Sequence, residues 1–238
     1  MGDKTASAAA DLARFWQRAM RCHECPSLAP WRKFPPAARG NPDNGLMILG
    51  EAPGRVSLEN GRPFSNPRNL TVRRAIALAL LPTQLEIEDA FYFSDAVKCW
   101  PTSPSGANRS PSNAETVTCV NRYLARELEI VHPRVIFAFG VRAASAVLGR
   151  SIKIAEVHAS TIASPAGYRV IPLMHPSSIN IAGMRRVGIR SLEDYTAQLA
   201  ELFRRELRGA HLIRRVGAAR VASVIPRVTA AAPKRVVT

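Results

Sequence analysis

Leu46-Met47-Ile48-Leu49, running straight into Gly50-Glu51-Ala52-Pro53-Gly54, is the stretch whose reading decides the fold. Four apolar residues closed by glycine and proline are too few for a buried helix, and they suit a strand covered on both faces. The turn residues behind them place a carboxylate, Glu51, at the strand's carboxyl end. Working outward, Phe91–Val97, Arg134–Phe139 and Arg169–Met174 have the same apolar character. Helical spacing fills the intervals over Arg68–Leu81, Asn113–Ile130 and Val141–Leu148, and amphipathic helices are predicted at either end, over Ala6–Met20 and Ser191–Leu207. Strands alternating with helices predict an α/β fold, a three-layer α/β/α sandwich with a central, mainly parallel four-stranded sheet.

The polar residues gather where the strand runs end. Glu51 follows the first, Asp95, Lys98 and Cys99 lie at the end of the second, Gly140 ends the third, and His175-Pro176-Ser177-Ser178 ends the fourth. In open α/β sheets the ligand crevice lies outside the carboxyl ends of the strands. Two carboxylates and a histidine are therefore expected on one rim, although they are far apart along the chain. Each admits a plainer role: Glu51 as the cap of its own turn, Phe64 as core, Asp95 as a buried structural carboxylate. His175 is the least ambiguous, because Pro176 restrains it to extended backbone that presents the ring.

A chain of 238 residues can bury one good core with a small appendage. No apolar run approaches the roughly 18–20 residues that span a bilayer. Met1 to Ala10 lacks the basic patch and apolar stretch of a secretory signal, so a cytoplasmic protein is expected. The formal charge is +15; nine Lys/Arg against two Glu between Glu201 and Thr238 account for +7, and the preceding residues carry +8. The body is thus basic on its own account, which suits a polyanion through counterion release; solubility or an acidic protein partner is the bland alternative. Cys22–Asn44 and Pro101–Pro111 read as loops, and there is no internal repeat. A domain is expected over residues 1–209 and a basic, flexible tail over 210–238, able to hold DNA loosely. Nothing in the pattern asks for an oligomer, and a monomer is expected.

The four cysteines come as Cys22-His23-Glu24-Cys25 and the distant Cys99 and Cys119. In a reducing compartment they should not pair as structural disulfides. Together they can form a tetrathiolate site for zinc or for an iron–sulfur cluster, and spacing alone does not choose between them. A redox motif at Cys22/Cys25 is disfavoured because no strand-like segment precedes it. Four thiolates suffice as ligands, which leaves His23 facing solvent.

Gly50-Glu51-Ala52-Pro53-Gly54, Gly61-Arg62-Pro63-Phe64, Val97-Lys98-Cys99, Asn108-Arg109-Ser110-Pro111 and His175-Pro176-Ser177 occur in this order. With the four cysteines they resemble the iron–sulfur uracil-DNA glycosylases, family 4 of that superfamily, and their family 5 relatives. The resemblance spans roughly Cys22 to Leu207; one motif alone would be weak, and five in order with all four cysteines are specific. It implies a DNA repair enzyme that hydrolyses the N-glycosidic bond of uracil in DNA. It also implies that Cys22, Cys25, Cys99 and Cys119 ligate a structural [4Fe-4S] cluster. Glu51 then matches the catalytic-loop glutamate, Phe64 the aromatic that stacks on the extruded base, and His175 the donor to uracil O2 as the base departs. Asp95 stands where the family has a base-reading asparagine, and Gly50 and Ala52 line the base site. Pro176 to about Arg186 would enter the duplex, with Ser177 and the wedge Ile179 at its tip and Arg185 and Arg186 on phosphates.

Three features depart from that family. Arg55-Val56-Ser57-Leu58 replaces the acidic residues usual after the first motif, which leaves Glu59 or Asn60 to help position water. Nineteen residues separate Cys99 from Cys119, a long interval that the Thr102–Ala107 loop absorbs. Asp95 replaces an amide that donates and accepts together, whereas an ionised carboxylate only accepts. A base range reaching hypoxanthine, xanthine or modified cytosines is therefore expected. Two rivals stand beside this reading. A superfamily variant that binds uracil covalently carries a His-containing basic loop after the first motif, and no such His follows here. A non-catalytic nucleic-acid-binding module with a structural four-cysteine metal site would not need a carboxylate on the phosphate-facing rim.

Overall fold

The computed structural model describes residues 2–31, 39–177 and 181–212. Its elements, in chain order, are α1 (Gly2–Met20), β1 (Arg39–Gly40), β2 (Leu46–Gly50), α2 (Arg55–Glu59), α3 (Thr71–Leu80), α4 (Ile87–Ala90), β3 (Tyr92–Asp95), α5 (Asn113–Cys119), α6 (Ala125–Val131), β4 (Val135–Phe139), α7 (Val141–Leu148), α8 (Ile154–Val157), β5 (Ile162–Ala163), β6 (Arg169–Leu173), α9 (Ile181–Arg186) and α10 (Leu192–Gly209). The four apolar runs are β2, β3, β4 and β6, each trimmed or extended by a residue or two. The helix expected over Asn113–Ile130 is α5 and α6 joined by a wide π-helical turn, Val120–Leu124, which turns Tyr123 and Leu124 inward.

The sheet order is β1-β3-β2-β4-β6-β5. The central four strands are parallel, as expected, and two-residue antiparallel strands flank them at either edge. Those edges are not legible in the sequence because two residues carry no period. From β2 the chain passes to β3 on one side and then crosses to β4 on the other, so the order reverses at β2. Such a switch point opens a crevice at the carboxyl ends of the strands.

Period-2 alternation sorts the strand side chains between two cores. Leu46, Ile48, Phe93, Phe137 and Phe139 face α3 and α10, where Ile76, Leu199 and Phe203 meet them. Phe203 packs edge-on against both Phe91 and Phe137, at 5.4 and 5.0 Å between ring centres. Met47, Leu49, Ile136, Ala138 and Val170 face the other way, onto Leu124, Leu128, Ala144 and Leu148 of the π-turn, α6 and α7. A smaller cluster seats α1 through Phe15 and Ala19 on Leu28, Val97, Cys119 and Tyr123. Among the described residues no helix is long and apolar enough to cross a membrane. The expected tail lies outside the described residues from position 213 onward.

Candidate active site

β2 and β3 run in register so that Gly50 stands opposite Asp95. Two further backbone bonds carry the pairing past the strand ends: Ala96 N–H donates to Gly50 O and Val97 N–H to Glu51 O, both at 2.9 Å. A cleft of about 590 Å³ opens here, at the switch point, and Glu51, Phe64, Asn69, Asp95, His175 and Ser177 all line it. Gly50 is obligatory by contact, since a Cβ there would stand 2.2 Å from Asp95 Oδ1 and 3.2 Å from Phe64 Cζ. Gly140 is obligatory twice over: its φ is +95°, and a Cβ would stand 2.7 Å from Glu51 Oε1.

Glu51 does not cap its own turn. Its Oε1 accepts from Arg142 N–H at 3.3 Å, in the first turn of α7. Burial raises its pKa, and the Arg142 N–H and charge pull partly back. Asp95 is only 9% exposed. Burial pushes its carboxyl up to about 7; Lys98 opposes, while the charges of Glu127 and Glu51 add. Beneath it, Lys98 Nζ reaches the Asp95 carbonyl, Ser94 Oγ at 3.0 Å and Glu127 Oε2 at 2.5 Å. Glu127 also accepts from Tyr92 O–H at 2.8 Å and Ser94 O–H at 3.1 Å. This buried ion pair is thus hydrogen-bonded on several sides, the condition under which such a pair is tolerated.

Phe64 packs edge-on against Phe139 at 5.6 Å and tilted against Phe93 at 6.4 Å, while also lining the cleft. Its φ of +54° lies in the left-handed region, a rare conformation for an aromatic residue and one found at ligand sites. His175, at the end of β6, is half-buried, and burial pulls its pKa below the usual value. It therefore presents a neutral imidazole at physiological pH, a donor that needs no proton from solution.

The rim loop is strapped rather than slack. Asn108 Oδ1 accepts from Trp100 Nε1 at 2.6 Å and from Arg55 N–H at 3.3 Å. Arg109 forms a two-point pair with Glu115, at 2.8 and 2.6 Å, and Glu115 closes a capping box with Ser112 at the start of α5. Sequence reasoning missed Asn69, whose Oδ1 is buried without a hydrogen-bond partner among the described residues. An unmet buried acceptor costs roughly 1–3 kcal/mol, and no motif marked this one.

The cleft thus brings together a buried and a half-buried carboxyl, both with raised pKa values, a neutral imidazole and an aromatic face. That set can hold a planar base and stabilise opposite charges at the two ends of a breaking bond. The family model described as the uracil DNA glycosylase superfamily matches residues 37–202. The chain belongs to this superfamily. A Type-4 uracil-DNA glycosylase of Thermotoga maritima is 30% identical over 181 residues, covering 74% of this chain and 88% of that protein. A Type-4 enzyme of Pyrobaculum aerophilum is 32% identical over 139 residues (58% and 65%), and a Type-5 enzyme of the same organism is 28% identical over 195 residues (70% and 83%).

In this glycosylase-superfamily chain the four cysteines also converge. Cys22 and Cys25 follow α1, Cys99 follows β3, Cys119 ends α5, and all four line one small recess beside Lys98 and Tyr123. Lys98 N–H donates to Cys119 Sγ at 3.3 Å. Burial pushes the Cys119 thiol up to about 11, and the charge and N–H of Lys98 pull partly back. Among the described residues no three of His, Cys, Asp and Glu are placed to hold a single metal ion. Of the remaining predicted site residues, Gly50, Ala52 and Ser177 line the cleft, and Arg185 and Arg186 are exposed at the end of α9. Ile179 lies outside the described residues.

Proposed function

We propose that this protein is a DNA repair glycosylase that hydrolyses the N-glycosidic bond of uracil in DNA, leaving an abasic site, and that its range extends to hypoxanthine and xanthine. The observation that carries this reading is Asp95, a buried carboxyl near neutrality on the same rim as Glu51 and the neutral His175. When protonated, Asp95 offers one donor and one acceptor, as an amide does. Uracil presents O4 beside N3–H, and hypoxanthine and xanthine present O6 beside N1–H, so one carboxylic acid matches all three edges. Phe64 stacks on the extruded ring.

As the C1′–N bond breaks, its electron pair leaves with the base, and His175 N–H stabilises the anionic oxygen. Ionised Glu51 stabilises the cationic sugar and orients the water whose oxygen joins C1′. A proton from that water ends on the base or in solvent. Ser177, Ile179, Arg185 and Arg186 would engage the duplex, the arginines and the basic tail over 210–238 through phosphate charge. The remaining features of this reading are a monomeric, cytoplasmic enzyme and a structural [4Fe-4S] cluster.

Cys22, Cys25, Cys99 and Cys119 would hold that cluster, tying the end of α1 to the segments after β3 and in α5. A cube bound at four corners asks for thiolates around a recess rather than at one point, and a soft, all-sulfur donor set suits it. Cys119→Ser is expected to lose visible cluster absorbance and iron content and to melt several degrees below the parent, roughly 2–4 °C per kcal/mol for a chain of this size. Equal iron content and melting temperature would remove the cluster assignment.

The function itself is tested on oligonucleotides carrying uracil, hypoxanthine, xanthine or unmodified cytosine, in single and double strands, by alkali-induced cleavage. Cleavage at the three deaminated bases and none at cytosine is expected. DNA binding without cleavage at any lesion would favour the non-catalytic binding module.

A further inference from the structure

β6 stops at Leu173, one residue before Met174 and two before His175. On its edge side β5 pairs only with Arg169 and Val170, so the ladder does not reach the end that matters. The segment after α8 takes over. Ala159 N–H donates to Pro172 O at 2.8 Å, and Met174 N–H donates to His158 Nδ1 at 3.2 Å. Beside His158, α10 supplies Tyr195, whose O–H donates to Met174 O at 2.7 Å. Both polar main-chain groups of Met174 are thereby held by side chains rather than by a strand, and His175 is the next residue.

We infer that His158 and Tyr195 are paired positioning residues that grip the main chain of Met174 and so aim His175 into the cleft. Ala159 has a φ of +57°, a left-handed conformation that turns the chain just after His158. The rings of His158 and Tyr195 lie 5.8 Å apart, so each also steadies the other. Burial lowers the His158 pKa, which favours the neutral ring, and the bond from Met174 N–H selects the tautomer whose Nδ1 accepts. Tyr195 is buried at 1% exposure, and its hydroxyl finds its partner in the Met174 carbonyl. A donor displaced by about 1 Å loses on the order of 10²-fold in rate, so a grip on the preceding residue matters even though neither side chain touches the base.

The inference rests on His175 acting as the donor to the departing base, and the experiment separates the two ideas. His158→Ala, His158→Asn, Tyr195→Phe and His175→Ala are compared with the parent in single-turnover excision of uracil, with DNA affinity and melting temperature measured alongside. Tyr195→Phe keeps the ring and its packing, and in His158→Asn the introduced amide oxygen can accept where Nδ1 did. His158→Ala and Tyr195→Phe are expected to slow excision at least about tenfold with DNA affinity within twofold of the parent, and His158→Asn to recover most of the rate. Parent rates in His158→Ala and Tyr195→Phe, with His175→Ala impaired, would overturn the grip alone. Failure of His158→Asn to recover any rate would also overturn it. A His175→Ala variant as fast as the parent would overturn the role of His175 and the grip with it.

Discussion

Asp95→Asn is expected to abolish the alkaline fall in uracil excision. On the proposed reading the parent reads the base with the protonated carboxyl, whose pKa is raised by burial to about 7. The proton is present below that value and lost as pH rises through it, so reading is intact in mild acid and fails in mild base. Two units above, on the order of 1% of molecules carry the proton, and uracil excision should run roughly 10²-fold below its plateau. An amide keeps its donor and acceptor at every pH, so near pH 9 the variant should exceed the parent by a similar factor. Single-turnover rates from pH 6 to 9 on uracil and hypoxanthine check this. Parallel pH profiles for parent and variant would show that Asp95 does not read the base.

Glu51→Gln should slow excision by about 10²–10³-fold, because it removes a fixed negative charge aimed at the cationic sugar. DNA affinity should change little, since the loss falls on the transition state. The fold should survive, because the glutamine side chain still offers an oxygen to Arg142 N–H. Burial raises the Glu51 pKa from its ordinary value, so the acid limb of the rate is expected to shift upward in pH, with activity gained as the carboxyl ionises. With the alkaline limb from Asp95, the parent profile is bell-shaped. The two limbs belong to an interacting pair, since the Glu51 charge raises Asp95. Loss of DNA binding in Glu51→Gln, instead of slowed chemistry, would show that the carboxylate is structural.

Short-range pattern makes the central strands readable. Leu46–Leu49 followed by Gly50 suits one conformation, and its place in the parallel sheet follows from the helices on either side. The convergence of Glu51, Asp95 and His175 on one rim follows from the same pattern, because all three lie at or just past the carboxyl ends of strands. Partners supplied from far along the chain are not readable. Arg142 lies 91 residues from Glu51, and nothing near Glu51 announces it. The charge state of Asp95 is likewise hidden. Its residue type suggests an ionised acceptor, and only burial beside Glu51 and Glu127 makes it a group that holds a proton near neutrality. The turn at Val120–Leu124 is concealed because one extra residue in a helix barely disturbs its apolar spacing. Asn69 sits in no recognisable motif, and its unmet oxygen exists only in three dimensions.

Phe64 sits in a backbone conformation that glycine would adopt without strain. Holding a non-glycine residue there costs of order 1–3 kcal/mol, partly offset by its packing on Phe93 and Phe139. The molecule therefore retains an internal conflict between durability and use. In a library screened for heat resistance with no demand for DNA repair, this position would be released early, and glycine would accumulate there. A lineage that kept Phe64 through such a screen would show that its packing on Phe93 and Phe139 outweighs the backbone strain.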